Sequence, residues 1–249
     1  MSALISSSTP PLNPTRFDSA AIGQDEVPLQ SSVPLQTETW VADYGLRYLA
    51  KRAVDWGGAA VGLILLMPFV LLIMVLIRLD SPGPVVFRQL RRGYRGQLFR
   101  LLKFRTMSAD AEERLTDLEG SNESAGGVLF KLRDDPRVTR VGRFLRRYSL
   151  DELPQLINVL SGEMSLVGPR PLQLRDSDRL SALDPTGYAR RLQAIPGLTG
   201  PWQVGGRSEV DYQGMVQLDL DYIENWSLGQ DLWIICKTFF VVLLRRGAY

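Results

Sequence analysis

Residues 56–77 are WGGAAVGLILLMPFVLLIMVLI, a run of 22 residues that contains no charge. A helix of this length is about 33 Å long at about 1.5 Å per residue, close to the thickness of a bilayer's hydrocarbon core. The run is apolar on every side, so a core helix of a soluble protein fits it least well. The stretch therefore predicts a membrane-associated helix.

Two features of this run argue against a simple membrane span. Pro68 lies near its middle and interrupts helical hydrogen bonding, which leaves arms of about 12 and 9 residues that are too short to cross separately. Arginine and lysine flank the run on both sides, whereas the positive-inside rule expects them on one side. A helix that enters one leaflet, breaks at Pro68 and returns satisfies both observations. A kinked span is the alternative, and the pattern alone leaves the two open.

The composition of the chain restricts its chemistry. The 249 residues include no histidine, which excludes Ser-His triads and histidine-bound zinc or haem. Cys236 is the single cysteine, so disulfides within the chain and cysteine metal clusters are excluded as well. Acid–base or nucleophilic work would fall to Asp, Glu, Ser, Thr, Tyr or Lys. A metal would be oxygen-bound, with Mg²⁺ as the default expectation.

Positive charge is concentrated in the middle of the chain. Residues 51–147 carry 18 basic and 10 acidic side chains, a net charge of +8, whereas the segments before and after them each have a net charge of −3. Of the 29 cations in the chain, 25 are arginine, which pairs bidentately with phosphate oxygens. We therefore expect a phosphate-bearing partner, and nucleic acid, anionic lipid and a nucleotide substrate are all compatible with this charge.

The sequence predicts three segments and an α+β, mostly helical fold. Residues 1–39, rich in Ser, Thr, Pro and Gln, are predicted to be a disordered tail, residues 40–80 a membrane anchor, and residues 81–249 a domain at the membrane surface. The domain should begin with a small β-hairpin over 85–104 and a flexible loop should cover 122–127. Helices are predicted over 108–119, from Pro136, and over 150–160, 173–182, 208–224 and 228–244.

The segment Arg146-Arg-Tyr-Ser-Leu-Asp-Glu152 carries the strongest chemical signal. Ser149 and Glu152 have the spacing of a capping box, which predicts Asp151 and Glu152 at a helix N-terminus that favours anions. Because arginines occupy the preceding turn, the site could hold a phosphate beside a carboxylate, and a carboxylate that attacks phosphorus forms an acyl phosphate. The alternative is a helix cap with solvated arginines.

Two other patterns suggest functions that we do not favour. Asp219 and Asp221 form a DxD triplet, which soluble nucleotide-sugar glycosyltransferases use to hold a metal, but it is predicted inside a helix, where residues i and i+2 diverge. A nucleic-acid binder would need base-stacking aromatics among the arginines, and Tyr94 and Tyr148 are too few. We expect no nucleic-acid partner.

Six motifs, in order along the chain, resemble the bacterial sugar transferases, which are monotopic phosphoglycosyl transferases. The motifs are SPGPV at 81–85, KFRTM at 103–107, SLDELPQL at 149–156, MSLVGPRP at 164–171, PGLTGPWQ at 196–203 and YIENWS at 222–227. The similarity runs from about Tyr48 to Tyr249, about four fifths of the chain. Six ordered motifs make the resemblance specific, and it favours the chemical interpretation of the segment at 146–152 over the simple cap.

The resemblance implies a membrane enzyme that starts exopolysaccharide or glycoconjugate assembly. Such an enzyme moves a sugar-1-phosphate from a UDP-sugar to polyprenyl (undecaprenyl) phosphate and releases UMP. By analogy, Asp151 would be the nucleophile that carries a covalent phospho-sugar intermediate, Glu152 would support it, and both carboxylates would contact Mg²⁺. Pro68 falls where family members break a re-entrant helix, which favours that geometry. The side chains that would bind phosphate or nucleotide are Lys103, Arg105, Arg146, Arg170, Gln203 and Arg207.

The resemblance also implies a location and leaves several questions open. The expected location is the bacterial inner (cytoplasmic) membrane, with the catalytic domain on the cytoplasmic face. The ending RRGAY at 245–249 resembles exopolysaccharide-priming members and favours a hexose, glucose or galactose, as the transferred sugar. A homo-oligomer is an open alternative. So is a membrane-anchored scaffold without enzymatic activity, which predicts that the substitution Asp151→Asn leaves function intact.

Overall fold

The apolar run lies in a long helix, α1 (Trp40–Asp80), which is kinked at Gly45, where the backbone is not helical (φ 40°, ψ −113°). The computed structural model describes residues 40–108, 110–111, 113–118, 120, 123, 132, 134–206 and 211–243, without the side chains of 40–44, 115–116 and 243. From Gly45 to Asp80, α1 is long and apolar enough to cross a membrane by length and composition. Pro68 lies inside it, where its missing amide interrupts the helical hydrogen bonds.

Most of the apolar surface of α1 has no protein around it. In its most apolar window, 11% of the residues are buried. Exposure of so many large apolar side chains would be unfavourable in water, which fits a helix that lies in lipid. The side chains at least half exposed between 61 and 79 are Val61, Ile64, Leu65, Phe69, Leu71, Leu72, Val75 and Leu79.

Both arms of α1 pack against the same domain. Before Pro68, Ala59 belongs to a cluster with Leu156. After it, Ile73 and Ile77 belong to a cluster with Leu145. The two ends of the helix are also held by the domain, so neither end is separated from it by the width of a bilayer. This arrangement agrees with a helix that enters and leaves one face of the membrane.

The rest of the described chain is an α+β arrangement dominated by helices, as predicted. A hairpin of β1 (Val86–Arg92) and β2 (Leu98–Phe104) pairs Val86 with Phe104 and Arg92 with Leu98. The helices are α2 (Leu115–Leu118), α3 (Arg140–Arg147), α4 (Gln155–Leu160), α5 (Leu174–Leu183), α6 (Pro185–Arg191), α7 (Pro201–Gly205), α8 (Tyr212–Glu224) and α9 (Leu228–Leu243). The predicted helices over 173–182, 208–224 and 228–244 correspond to α5, α8 and α9 where the chain is described.

A short parallel pair of strands, β3 (Ser165–Val167) and β4 (Gly197–Thr199), was missing from the prediction. At three residues each, the strands are too short to show a period in the sequence. Their pairing brings the loop after β3 close to the loop after β4. The approach is close enough to require glycine: a Cβ atom on Gly168, just after β3, would clash with the Ile195 carbonyl, and one on Gly197 would clash with the backbone of Gly168.

The predicted helix start at Pro136 is wrong, and most of the described residues in the predicted helix over 108–119 are not helical. The helix expected from Pro136 begins at Arg140, because Thr139 caps it by accepting a hydrogen bond from the Gly142 amide (2.9 Å). Asp135 instead forms a buried ion pair with Arg137 (2.7 Å). Within 108–119 the described helix is α2 alone. The predicted tail over 1–39 lies outside the described residues, as does most of the predicted loop over 122–127.

A buried ion pair joins the start of α1 to the last helix. Lys51 Nζ lies 2.7 Å from Asp231 Oδ2 and donates to the Val167 carbonyl (3.0 Å). Asp231 also accepts from Tyr222 Oη (2.7 Å) and Trp226 Nε1 (3.1 Å). Every charge in this network has a partner, which offsets the cost of removing it from water. The network therefore fixes α1 against α9 and against the end of β3.

We expect the substitution Asp231→Ala to lower the thermal unfolding temperature of the detergent-purified chain. It leaves Lys51 buried without its counter-charge, a loss of about 3–5 kcal/mol, which corresponds to a fall of roughly 10 °C for a chain of this size. The double variant Lys51→Met with Asp231→Leu removes both charges and should recover part of that loss. Asp221→Ala, at an exposed position, is the control. A double variant that is less stable than Asp231→Ala would contradict this account.

Candidate active site

The two adjacent carboxylates lie in a 3₁₀ turn, Leu150–Glu152, between α3 and α4. The predicted capping box is wrong, because Ser149 has left-handed backbone angles (φ 54°, ψ 22°) and its side chain makes no cap hydrogen bond. A capping serine needs an extended backbone. A left-handed residue just after a helix ends that helix, and Ser149 therefore terminates α3, while α4 begins later, at Gln155.

Cations from two distant elements meet at these carboxylates. Lys103, near the end of β2, places its Nζ 2.9 Å from Glu152 Oε1 and 3.5 Å from Asp151 Oδ2. Arg170, in the loop after β3, places its Nη2 2.8 Å from the same Glu152 oxygen. Asp151 is 7% exposed. The structure thus brings together four of the predicted site residues.

These ion pairs keep Glu152 ionised. Burial by itself would raise the pKa of Glu152, but the charges and hydrogen bonds of Arg170 and Lys103 hold it well below its ordinary value of 4.5. Burial likewise acts to lower the pKa of Arg170, and the charge of Glu152 more than compensates, so that this pKa is raised. The result is an anion fixed between two cations, beside a second carboxylate.

Arg146 approaches the same site from α3. Its Nε donates to Thr106 Oγ1 (2.9 Å), a hydroxyl just beyond the end of β2. Burial lowers the pKa of Arg146, and the nearby charges of Asp151 and Asp135 act in the opposite direction. The interaction with Asp151 places Arg146 in the electrostatic environment of the two carboxylates.

Two of the other predicted phosphate and nucleotide ligands, Arg105 and Gln203, form hydrogen bonds to other parts of the chain. Arg105 donates to the Ser81 carbonyl (2.6 Å) and hydroxyl (3.0 Å), beyond the end of α1. Gln203, in α7, donates to the Leu198 carbonyl (3.2 Å). Arg207 lies outside the described residues. Their proposed binding roles stay predictions.

Sequence reasoning missed the residues that hold Arg170 in place. The Arg170 guanidinium lies 5.9 Å from the centre of the Trp202 ring. The backbone carbonyl of Arg170 accepts a hydrogen bond from Arg191 Nη2 (3.1 Å). Arg91 is buried and donates a hydrogen bond to the Pro171 carbonyl (3.0 Å). Burial, together with the charge of Arg170, lowers the pKa of Arg91 to about 9. Nothing in the sequence distinguishes Arg91 from the other arginines of the hairpin.

The DxD triplet lies in α8, and its two carboxylates diverge as predicted. Asp219 is fully buried and pairs with Arg191 (2.7 Å). Asp221 is exposed and accepts from Gln217 (2.7 Å). Within the described part of the chain, no group of three or more Asp, Glu, His or Cys side chains is placed to hold a metal.

The chain is similar to known proteins over most of its length. Residues 46–245 match the family model described as bacterial sugar transferase. The chain is 45% identical over 204 residues to the exopolysaccharide production protein ExoY of Rhizobium meliloti, covering 81% of this chain and 88% of that protein. It is 45% identical over 206 residues to UDP-glucose:undecaprenyl-phosphate glucose-1-phosphate transferase of Caulobacter vibrioides. This alignment covers 81% of this chain and 72% of that protein.

Some relatives are much longer than this chain. Galactosyl transferase CpsE of Streptococcus agalactiae is 44% identical over 201 residues, which cover 80% of this chain and 43% of that protein. The chain therefore spans less than half the length of this relative. The family model covers residues 46–245 of this chain.

The charge pairing of Glu152 predicts a pH-dependent contribution to stability. Because its pKa is lower in the folded chain than its ordinary value of 4.5, the contribution is fully present above that value and is lost as the pH falls below it. We expect Glu152→Gln to lower the unfolding temperature at neutral pH. The difference from the unsubstituted chain should shrink as the pH falls below 4.5, measured by thermal unfolding in detergent. A difference that stays constant over this range would contradict the ion pairing.

Proposed function

Because the chain belongs to the bacterial sugar transferase family, we propose that it transfers a hexose 1-phosphate from a UDP-sugar to undecaprenyl phosphate and releases UMP. The chain is a phosphoglycosyl transferase, as its relatives' names indicate. One observation supports the proposed transfer reaction: Asp151 lies beside Glu152, and the carboxylate of Glu152 is paired with Lys103 and Arg170.

In the first half of the proposed reaction, Asp151 is the nucleophile. One of its carboxylate oxygens attacks the β-phosphorus of the UDP-sugar, and the bond from that phosphorus to the bridging oxygen of the diphosphate breaks. The electron pair leaves with UMP, and the sugar phosphate stays on Asp151 as an acyl phosphate. No proton needs to be exchanged, which suits a site without histidine.

Attack of an anion on a diphosphate requires nearby positive charge. Lys103 and Arg170 already lie at the carboxylates, and Arg146 lies close enough to interact with Asp151. Glu152 orients Lys103 and Arg170 and leaves Asp151 with the weaker contact to Lys103, at 3.5 Å. We infer that the less constrained carboxylate is the one that reacts.

In the second half, an oxygen of undecaprenyl phosphate attacks the same phosphorus. The bond to Asp151 breaks, the carboxylate is regenerated, and the product is undecaprenyl diphosphate sugar. Because UMP leaves before the lipid reacts, the two anionic substrates need not occupy the site together. The route is therefore ping-pong.

We propose Mg²⁺ as the cofactor, held by Asp151 and Glu152. Two carboxylates and no third protein ligand among the described residues suit a cation that usually takes one or two carboxylates and completes its shell with water and substrate phosphate. When bound, Mg²⁺ would neutralise part of the phosphate charge.

The membrane location follows from α1, and we propose that the domain lies on the cytoplasmic face of the inner membrane. Undecaprenyl phosphate presents its phosphate at the membrane surface. A helix whose two arms both pack on the domain, through Ala59 and Ile77, would hold the carboxylates at that surface. The hexose preference rests on the galactose and glucose in the relatives' names.

The proposed reaction predicts UMP release by the detergent-purified chain with Mg²⁺, undecaprenyl phosphate and one UDP-hexose from a panel of UDP-sugars. Asp151→Asn should lower this release by about three orders of magnitude or more, because a carboxamide is a poor nucleophile. Asp221→Asn, in the DxD triplet, is the matched control and should keep full activity. Without lipid, the active chain should release about one UMP per molecule. No release from any donor by a folded chain would favour the scaffold.

The proposed anchor geometry predicts that both ends of α1 face the same side of the membrane. Two single-cysteine variants test this, Leu49→Cys and Leu79→Cys, each combined with Cys236→Ser. In sealed inside-out vesicles, a membrane-impermeant maleimide should label both, because re-entry returns the chain to its starting face. In right-side-out vesicles it should label neither. Labelling of the two positions from opposite sides would contradict re-entry and favour a kinked span.

A further inference from the structure

One side of α3 is a stripe of exposed positive charge that the active site does not use. Arg140, Arg143 and Arg147 are spaced three and four residues apart and therefore lie on one side of the helix. All three are exposed, and no ion pair engages them within the described residues. Phe144 lies among them and is 55% exposed. We call these four residues the α3 stripe.

The other sides of α3 already have partners. Arg146 points to Thr106 and the active site. Val141 and Leu145 pack in the cluster that contains Ile77 of α1. The α3 stripe is thus the remaining surface of the helix, and it contributes neither to the core nor to the site.

The α3 stripe borders the membrane anchor. The Val141 amide donates to Asp80 Oδ2 at the end of α1 (3.2 Å). By helical geometry Phe144 is the stripe member closest to the Val141 side. Leu76 and Leu79, in the last turns of α1, are 42% and 79% exposed. The apolar member of the stripe is therefore the one nearest to the end of α1, where exposed apolar side chains also lie.

We propose that the α3 stripe binds the headgroups of anionic phospholipids in the membrane that holds α1. Arginine pairs bidentately with phosphate, basic residues beside a membrane segment are attracted to anionic lipid, and an aromatic ring suits the interface. An acidic protein would match the charge but would not explain why the exposed ring of Phe144 lies on the side of the stripe nearest to the end of α1. Because Arg146 is on the same helix, this contact holds the active site at headgroup level.

The inference rests on membrane association and not on the proposed chemistry, so its test uses no sugar donor or acceptor. The full chain with Phe144→Cys and Cys236→Ser is placed in nanodiscs of phosphatidylcholine, alone or mixed with phosphatidylglycerol. The measurement is the rate of labelling by a charge-neutral, water-soluble maleimide. Each arginine near an anionic surface favours contact by about a factor of five. We therefore expect labelling to be roughly tenfold slower, or more, with phosphatidylglycerol.

Three matched variants in the same background separate charge from other effects. Changing Arg140, Arg143 and Arg147 together to Gln should abolish the lipid dependence, whereas changing all three to Lys should retain it. The control replaces with Gln three exposed arginines on other elements, Arg95, Arg100 and Arg190, and should also retain it. Thermal unfolding checks that each variant is folded.

Three results would overturn the proposal. One is an equal labelling rate in both lipids, and a second is full lipid dependence in the Gln variant of the stripe. The third is an equal loss of the lipid dependence in the control variant, which would mean that the net charge of the chain, and not the α3 stripe, slows labelling. The first of these results, together with protection of the cysteine by an added soluble acidic protein, would assign the stripe to a protein partner.

Discussion

The ion pairing of Glu152 with Lys103 and Arg170 is the interaction on which the site depends. Burial by itself would raise the pKa of Glu152, and the cations fixed beside this carboxylate hold its pKa below the ordinary value. Each cation comes from a different part of the chain. The β1–β2 hairpin delivers Lys103, and the pairing of β3 with β4 positions the loop that delivers Arg170.

The same requirement for paired charge governs how the domain is joined to its anchor. Lys51 and Asp231 form a buried pair that fixes the start of α1, and Asp80 accepts an amide hydrogen bond that fixes its end. Lipid can cover the apolar side chains of α1 but cannot satisfy these polar groups. Polar contacts therefore determine how α1 sits on the domain, and the apolar surface determines where the domain resides.

The sequence predicted the elements with a clear period or a long apolar run, namely α1, the β1–β2 hairpin, α5, α8 and α9. It failed where a short-range rule competes with tertiary contacts. The capping-box spacing at Ser149 is present, but α3 uses that residue to terminate, so the turn at Asp151 is 3₁₀ and not the first turn of a helix. Likewise, α3 does not begin at Pro136 as predicted. Its N-cap is Thr139, because Asp135 pairs with Arg137.

For the site, the sequence alone determined the composition: two neighbouring carboxylates, a surplus of arginine and no histidine, beside a helix too apolar for water. These properties are local, so they can be recognised without coordinates. Only the tertiary structure decided which cations serve the carboxylates. In the folded chain Lys103, Arg146 and Arg170 lie near the carboxylates, whereas Arg105 binds Ser81. Arg170 and its loop are held by contacts with Arg91, Trp202 and Arg191. That choice depends on which strand ends and loops meet in space, and a chain with 25 arginines does not specify it by spacing.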